Sequence, residues 1–211
     1  MNEPTQRSNR RQRQAEFTRQ EILAAARKLF AEKGYAATTV RDIAEEAGAA
    51  VQTVYAAVGS KSELVRGLND LVDEKAGIGA IVANAMQSDD PTTPLLVSAG
   101  IARTLFECCG DILRVVVDGA ASEPDLAELL REGDRRHRAG VAGAMRRAAE
   151  LGALKDTHDL AQATLTVAAL TDISFVLMLV DRYGLSADEA ERWMGDAILS
   201  LVGVQKQSGS A

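Results

Sequence analysis

Residues 38–64 read TTVRDIAEEAGAAVQTVYAAVGSKSEL, and their periodicity sets the architecture. The stretch divides into two short apolar-periodic segments around Gly48-Ala49-Ala50. In the first, Val40, Ile43, Ala44 and Ala47 recur at helical spacing on one face, with Arg41, Asp42, Glu45 and Glu46 on the other. Gly48 permits a sharp turn at little steric cost. The second is expected to bury Val54 and Val58 and to leave Val51, Gln52, Thr53 and Ala56 on its outer side. Two helices of seven or eight residues joined by a three-residue, glycine-containing turn suit a DNA-binding helix-turn-helix. A helical hairpin with a purely structural role fits the same pattern.

Working outward, Ile22, Leu23, Ala26, Leu29 and Phe30 line one face of a preceding helix, which Gly34 is placed to end, with Tyr35 as the apolar residue behind it. A Ser or Thr followed three residues later by an acid recurs at Thr18–Glu21, Thr39–Asp42, Ser60–Glu63, Ser122–Asp125 and Ser186–Glu189. In each pair the hydroxyl can accept from the third helical amide while the carboxylate reaches back to the cap amide. Strand signals are nearly absent. The expected fold is all-α, with helices over 16–33, 40–47, 51–58, 61–76, 94–118, 123–151, 158–183 and 187–204. A short helix near 78–87 is weakened by Gly77 and Gly79. The organisation expected is a flexible basic arm (1–14), a helix-turn-helix DNA-binding domain (15–60), a C-terminal helical ligand-binding and dimerisation domain (61–204) and a tail (205–211).

Composition agrees with a globular protein: 46% of the 211 residues are hydrophobic and 26% charged. The net charge of −6 excludes uniform electrostatic wrapping of nucleic acid, so any DNA contact must be local. Residues 1–65 carry ten Lys and Arg against eight Asp and Glu; residues 66–211 carry fourteen against twenty-two. That asymmetry suits a nucleic-acid-facing end on an acidic body. The N-terminus is polar through Thr18, with no signal-peptide core. The most apolar run, Ile173 to Val180, falls far short of the ~20 residues a transmembrane helix needs. The only cysteines, Cys108 and Cys109, are adjacent. A cytoplasmic, disulfide-free protein with no membrane partner is expected.

The run TRQEILAAARKLFAEKGYAATTVRDIAEEAGAAVQTVY, followed by GSKSEL, resembles the DNA-binding domain of the TetR family of bacterial transcription regulators, without a gap from Thr18 to Leu64. The resemblance implies a homodimer whose recognition helices enter successive major grooves of a palindromic double-stranded operator. It implies that Thr39, Tyr55 and Lys61 hold phosphates and that Val51, Gln52, Thr53 and Ala56 face base edges. Gln52 is the preferred reader, since its amide can pair with N6 and N7 of adenine; a solvated position is the alternative. For Tyr55 the plainer role is core packing against Phe30, and both roles can hold at once. Many family members have Val-Ser where Ala49-Ala50 stand and an aromatic where Val58 stands. Without the Ser, a cap worth ~0.5–2 kcal/mol is missing. The arm carries Arg7, Arg10, Arg11 and Arg13 against Glu3. Such a segment suits a narrow minor groove, or serves only as a solubilising tail.

Toward the C-terminus, Ile173, Phe175, Val176, Leu177, Met178, Leu179 and Val180 make one segment apolar nearly all round. Ala190, Trp193, Met194, Ala197, Ile198, Leu201 and Val202 form a full helical stripe in the last. A helix apolar on every side must be buried on every side. The expected solution is an intersubunit four-helix bundle, as the resemblance also implies, through Phe175, Leu179, Trp193, Met194, Ile198 and Leu201; the alternative is an internal hairpin. Residues 94–151 are expected to sense a small-molecule effector, with Phe106, Cys109, Val116, His137 and Met145 as lining candidates. Only four of the eight aromatics lie beyond residue 55, which favours an aliphatic pocket.

Cys108-Cys109 suits buried thiols, or a redox or metal role. Arg135-Arg136-His137-Arg138, interleaved with Glu132 and Asp134, suits a solvated helix face. No enzyme is indicated. Neither His137 nor His158 sits in a metal-ligand spacing, and GxSxG, GxxxxGK[ST] and a strand-borne GxGxxG are missing. No catalytic residue, cofactor or metal is expected. The whole pattern points to a transcription regulator, a repressor released from its operator by a small molecule. The competing class is a dimeric helical enzyme or scaffold without sequence-specific DNA binding.

Overall fold

The computed structural model of the chain describes residues 3–155 and 159–203. The helices are α1 (Glu3–Lys33), α2 (Val40–Glu46), α3 (Val51–Ala57), α4 (Lys61–Ala76), α5 (Ile78–Gln87), α6 (Thr92–Gly119), α7 (Pro124–Glu150), α8 (Leu160–Leu170), α9 (Ile173–Asp181) and α10 (Ala187–Leu201). Among the described residues there is no strand beyond one isolated bridge, Leu154 to Gly203.

Capping sets most of these boundaries. Thr39, Ser60 and Ser186 each form the reciprocal box with Asp42, Glu63 and Glu189. Two expected boxes are not used. Thr18 lies inside α1, which runs back to Glu3 because the Arg, Gln and Glu of residues 3–16 are good helix formers. Residues 3–14, expected as a flexible arm, are thus helical. Ser122 is not a cap either; Glu123 holds that position and Pro124 supplies a preset first turn. The tail expected over 205–211 lies outside the described residues.

The single helix expected over 158–183 is two. Thr171 ends α8, its hydroxyl donating to the Val167 carbonyl at 2.8 Å, and Asp172 starts α9 by accepting from the Ser174 amide at 2.9 Å. The axes bend by 40° there. No single helix among the described residues is long and apolar enough to cross a membrane.

The helices pack around two apolar clusters. The first gathers Ile22, Leu23, Phe30, Ile43, Val54, Leu64 and Leu68 from α1 to α4, with Cys109, Ile112 and Val116 of α6 and Leu126 and Leu129 of α7. The second joins Leu95 and Val97 of α6, Val141 and Met145 of α7, Val167 of α8, Val176 of α9 and Met194 and Ile198 of α10. The helices α6 and α7 therefore pass through both. A boundary at residue 60 cuts the first cluster, because α4 supplies Leu64, Val65 and Leu68 to it.

Candidate nucleic-acid interface and effector cavity

The turn before α2 and the turn before α3 require glycine: Gly34 has φ +78° and Gly48 has φ +62°, where other residues are strained. Between them Thr38, fully buried, donates its hydroxyl to the Gly34 carbonyl at 2.8 Å. Thr39 then caps α2, accepting from the Asp42 amide at 3.1 Å and donating its hydroxyl to Asp42 Oδ2 at 2.7 Å. The hydroxyl and amide of Thr39 hold the Asp42 carboxyl below its ordinary range.

Val54 anchors α3 with no exposed surface. That register leaves Gln52, Thr53, Tyr55 and Ala56 exposed on one outer face, with Val51 half-buried beside them. Tyr55 does not pack on Phe30. It is 55% exposed, and the ring beside Phe30 is that of Tyr35, at 5.4 Å between centroids. The α3 cap is Ala50, which gives no side-chain hydrogen bond.

Lys61 is engaged within the fold. Its Nζ donates to the carbonyls of Tyr35 at 2.8 Å and Thr38 at 3.1 Å and lies 3.9 Å from the Tyr35 ring centre. Two of its three donors thus tie α4 to the turn between α1 and α2. Arg10, Arg11, Arg13 and Arg41 are exposed.

A second feature joins this unit to the rest. Helix α6 is kinked at Cys109, whose φ −159° and ψ 26° are not helical. A kink frees a carbonyl on one side and amides on the other. Arg27 of α1 donates to the Cys108 carbonyl at 2.8 Å and, through Nε and Nη2, to both Asp111 oxygens at 2.7 and 2.8 Å. Asp111 also draws on the amides of Ile112 and of itself. Burial pushes the Asp111 carboxyl up, and the hydrogen bonds and charge of Arg27 outweigh it, leaving the group below its ordinary range. A recess of about 620 Å³ surrounds this pair, lined by Gln20, Ala24, Lys28 and Cys108 among others.

Between the two clusters lies a cavity of about 420 Å³. Its walls come from α5 (Ile78, Gly79, Val82, Met86), α6 (Val97, Ile101, Leu105, Leu113, Val116), α7 (Leu129, Gly133, His137, Gly140, Val141) and the α8–α9 junction (Thr171, Asp172, Ile173). Of the residues expected to line such a space, Val116 and His137 do. Cys109 and Met145 are buried at 1% and 0% exposure within the clusters. Phe106 lies instead under the Arg114 guanidinium, 5.0 Å from its ring centre. The contributions of α5 and of the α8–α9 junction fall outside the expected 94–151.

His137 departs from the solvated face expected for its charged run. Its neighbours do pair on the surface, Arg135 with Glu128 and Glu132 and Arg138 with Asp134. The imidazole turns inward: Nε2 is 3.2 Å from the Ala168 carbonyl and 3.3 Å from Thr171 Oγ1. The carbonyl can only accept, and the Thr171 proton is directed at Val167 O, so the neutral ring carries its proton on Nε2. Among the described residues no group of His, Cys, Asp and Glu is arranged to hold a metal ion.

The expected dimer residues separate. Leu179, Met194 and Ile198, at 6%, 0% and 0% exposure, belong to the chain's own second cluster and are not available to a partner. The apolar excess of α9 is largely absorbed the same way, by packing on α6 and α10. Trp193 and Leu201 are 46% and 48% exposed, and the Phe175 ring lies tilted beside Trp193, 5.8 Å between centroids. Leu165 on α8, not singled out from the sequence, is 69% exposed.

Residues 22–68 match the family of bacterial regulatory proteins described as the tetR family. A segment of 86 residues is 37% identical to the HTH-type transcriptional regulator TtgR of Pseudomonas putida. That match spans 41% of this chain and 40% of the relative's length. Among solved structures, the chain is similar to a SmeT–triclosan complex, with a TM-score of 0.72 at 22% identity over 90% of this chain and 93% of the other. It is also similar to NalD, the secondary repressor of the MexAB-OprM multidrug efflux pump in Pseudomonas aeruginosa, with a TM-score of 0.68 at 21% identity over 92% and 99% of the two chains. These two show a shared fold.

Proposed function

We propose, for a chain whose residues 22–68 match the bacterial regulatory proteins of the tetR family, the function of a dimeric, ligand-responsive repressor that binds a palindromic operator. One observation carries it: a glycine-turned helix pair, its first helix capped by Thr39, holds Gln52, Thr53, Tyr55 and Ala56 together on a solvent-facing helix surface. A helix so placed can enter a major groove, with Gln52 pairing to adenine, Val51, Thr53 and Ala56 along the base edges and Tyr55 on a phosphate. Thr39 sits beside it at the α2 N-terminus, where backbone amides also favour phosphate. The α1 extension brings Arg10, Arg11 and Arg13 as sequence-independent contacts.

Dimerisation uses the apolar surface the chain leaves open, Leu165 on α8 with Trp193 and Leu201 on α10, rather than the buried Met194 and Ile198. The effector occupies the cavity between the clusters; binding of triclosan by SmeT and the repressor role of NalD support this pairing of ligand and repression. Its presence reaches the DNA-binding unit along α6, which lines the cavity and is gripped by Arg27 at its kink. Nothing in these relatives favours the enzyme or scaffold alternative.

The test is selection from a random duplex pool by the purified full-length protein at near-physiological salt. An enriched palindrome with half-sites about 10 base pairs apart, or a multiple of that, is expected. A folded dimer that enriches no sequence overturns the proposal. Removing residues 2–13 should flatten the salt dependence of binding, by close to one unit of log–log slope for each phosphate no longer neutralised. An unchanged slope takes the arm out of the interface.

A further inference from the structure

The cavity assigned to the effector has a volume and walls that select its occupant; the identity of that occupant rests on the regulator reading. Its volume is about 420 Å³. At the ~30 Å³ that liquid packing gives a water-sized group, it holds roughly fourteen non-hydrogen atoms.

The walls are aliphatic. None of the chain's four Phe, three Tyr and one Trp lines the space. A flat aromatic ligand gains from ring contacts, and a quaternary ammonium gains from an aromatic cage; this cavity supplies neither. Glycines also line it, Gly133 half-buried and Gly79 and Gly140 exposed. Gly79, Gly133 and Gly140 all lie inside helices, where glycine is unfavourable, and a Cβ added to any of them meets nothing within 4 Å.

The charged groups at the rim are already matched. Asp172 accepts from the Ser174 amide, Asp134 faces Arg138 at 3.8 Å, and Arg136 faces Glu132 at 3.9 Å. The polar side chains inside the aliphatic wall are Ser98, Thr171 and His137, and the Thr171 hydroxyl is spent on the Val167 carbonyl. The His137 Nε2–H serves the Ala168 carbonyl, one of the last-turn carbonyls that the break after α8 leaves without a helical partner. The neutral ring therefore presents Nδ1 as an acceptor, without a partner among the described residues.

We infer that the effector is an uncharged, non-aromatic lipophile, an aliphatic or alicyclic alcohol of roughly this size, whose hydroxyl donates to His137 Nδ1. The aliphatic body supplies affinity and the single donor supplies orientation.

The experiment titrates a series of straight-chain primary alcohols, hexanol to dodecanol, into the full-length protein without DNA, by calorimetry. Affinity should rise about fourfold per methylene, the factor that ~0.8 kcal/mol of apolar transfer gives, and level off near dodecanol as the space fills. The methyl ether of each alcohol, which cannot donate, should bind about tenfold more weakly. His137→Leu should erase the alcohol–ether difference and keep the methylene increment. Gly133→Leu, which fills the space and removes a helix-weakening glycine, should erase the increment itself.

Equal binding of ether and alcohol, tighter binding of the matching carboxylate or alkylammonium, or tighter binding of an aromatic alcohol of equal atom count overturns the inference. The wild-type ether comparison stands even if His137→Leu misfolds. Operator release by the same alcohols is measured separately. An alcohol series that binds as described without releasing DNA leaves the cavity chemistry standing and removes the regulatory reading. A protein that binds its operator and no alcohol leaves the regulator and removes this effector class.

Discussion

The two apolar clusters of this chain are nearly equal in membership and unlike in content. Among the described residues, alanine accounts for three of the eighteen buried in the first and nine of the nineteen in the second. The first is closed by large side chains, Phe30 and Ile22 among them, and its short helices are tied by Thr38, Thr39 and Lys61 to the turns between them. The second lets helices approach on small side chains and has the open cavity along its seam with the first. Large interlocking side chains resist displacement, since close-packed interiors have few voids to absorb it. Alanine surfaces lose less when helices slide. On packing grounds the first cluster, on which the helix pair proposed to read DNA rests, should yield less than the second.

The largest expected effect tests that contrast directly. Phe30→Ala should cost about 3–5 kcal/mol, while Met194→Ala in the alanine-rich cluster should fall at the low end of the ~2–5 kcal/mol range, because neighbouring helices can settle into the space. Urea denaturation of both variants measures this, and equal costs break the comparison.

Next in size is an effect on DNA alone. Gln52→Ala should lose about 1–3 kcal/mol of discrimination at one base pair of each half-site, with thermal stability unchanged. Uniform weakening across all sequences, in a binding assay on operator variants, would move Gln52 from the base edges to the backbone.

A gain is expected at the uncapped start of α3. Ala50→Ser supplies the missing cap of α3 and should stabilise the protein by about 0.5–2 kcal/mol in thermal unfolding. No gain would mean that α3 is held by Val54 and its neighbours regardless of its first turn.

The smallest effect lies at the joint between the two regions. Asp111 titrates lower folded than unfolded, so its pairing with Arg27 stabilises fully above the unfolded Asp value of ~3.9 and is lost as pH falls through the lower folded value. Arg27→Ala should cost about 1 kcal/mol at neutral pH, a modest figure because both side chains are about a third exposed. It should also flatten the acid limb of the stability curve. An acid limb identical to wild type would assign that loss to other carboxylates.

Legibility in the sequence follows the same division. The caps Thr39, Ser60 and Ser186 and the buried positions Ile43 and Val54 depend on residues within one or two turns, which spacing encodes directly. Ser122 misleads because Pro124 beside it favours a start one residue later. The stripe through Met194 and Ile198 announces a buried face but carries no information on whose surface buries it; here it is the chain's own. The break at Thr171–Asp172 hides in an apolar run, although Asp172 followed by Ser174 is a capping signal in its own right. The kink at Cys109 is met by Arg27, some eighty residues earlier, and no local pattern records that contact. The cavity is half visible: the sparse aromatics indicate an aliphatic wall, while the helix-interior Gly133 and Gly140 mark where it opens only once their neighbours are known.

Trp193 is the chain's single tryptophan, and it is half open to solvent with the Phe175 ring beside it. It sits on the α10 face proposed to meet a second subunit, and not on α3, the helix proposed to read DNA. The protein therefore carries its own optical label for assembly. Dilution that separates subunits should shift the emission of this one indole to the red as water reaches it, and an operator added at fixed protein concentration should shift it only by way of the subunit equilibrium. Intrinsic fluorescence can then follow association in real time, with no dye attached and no second indole to confuse the signal.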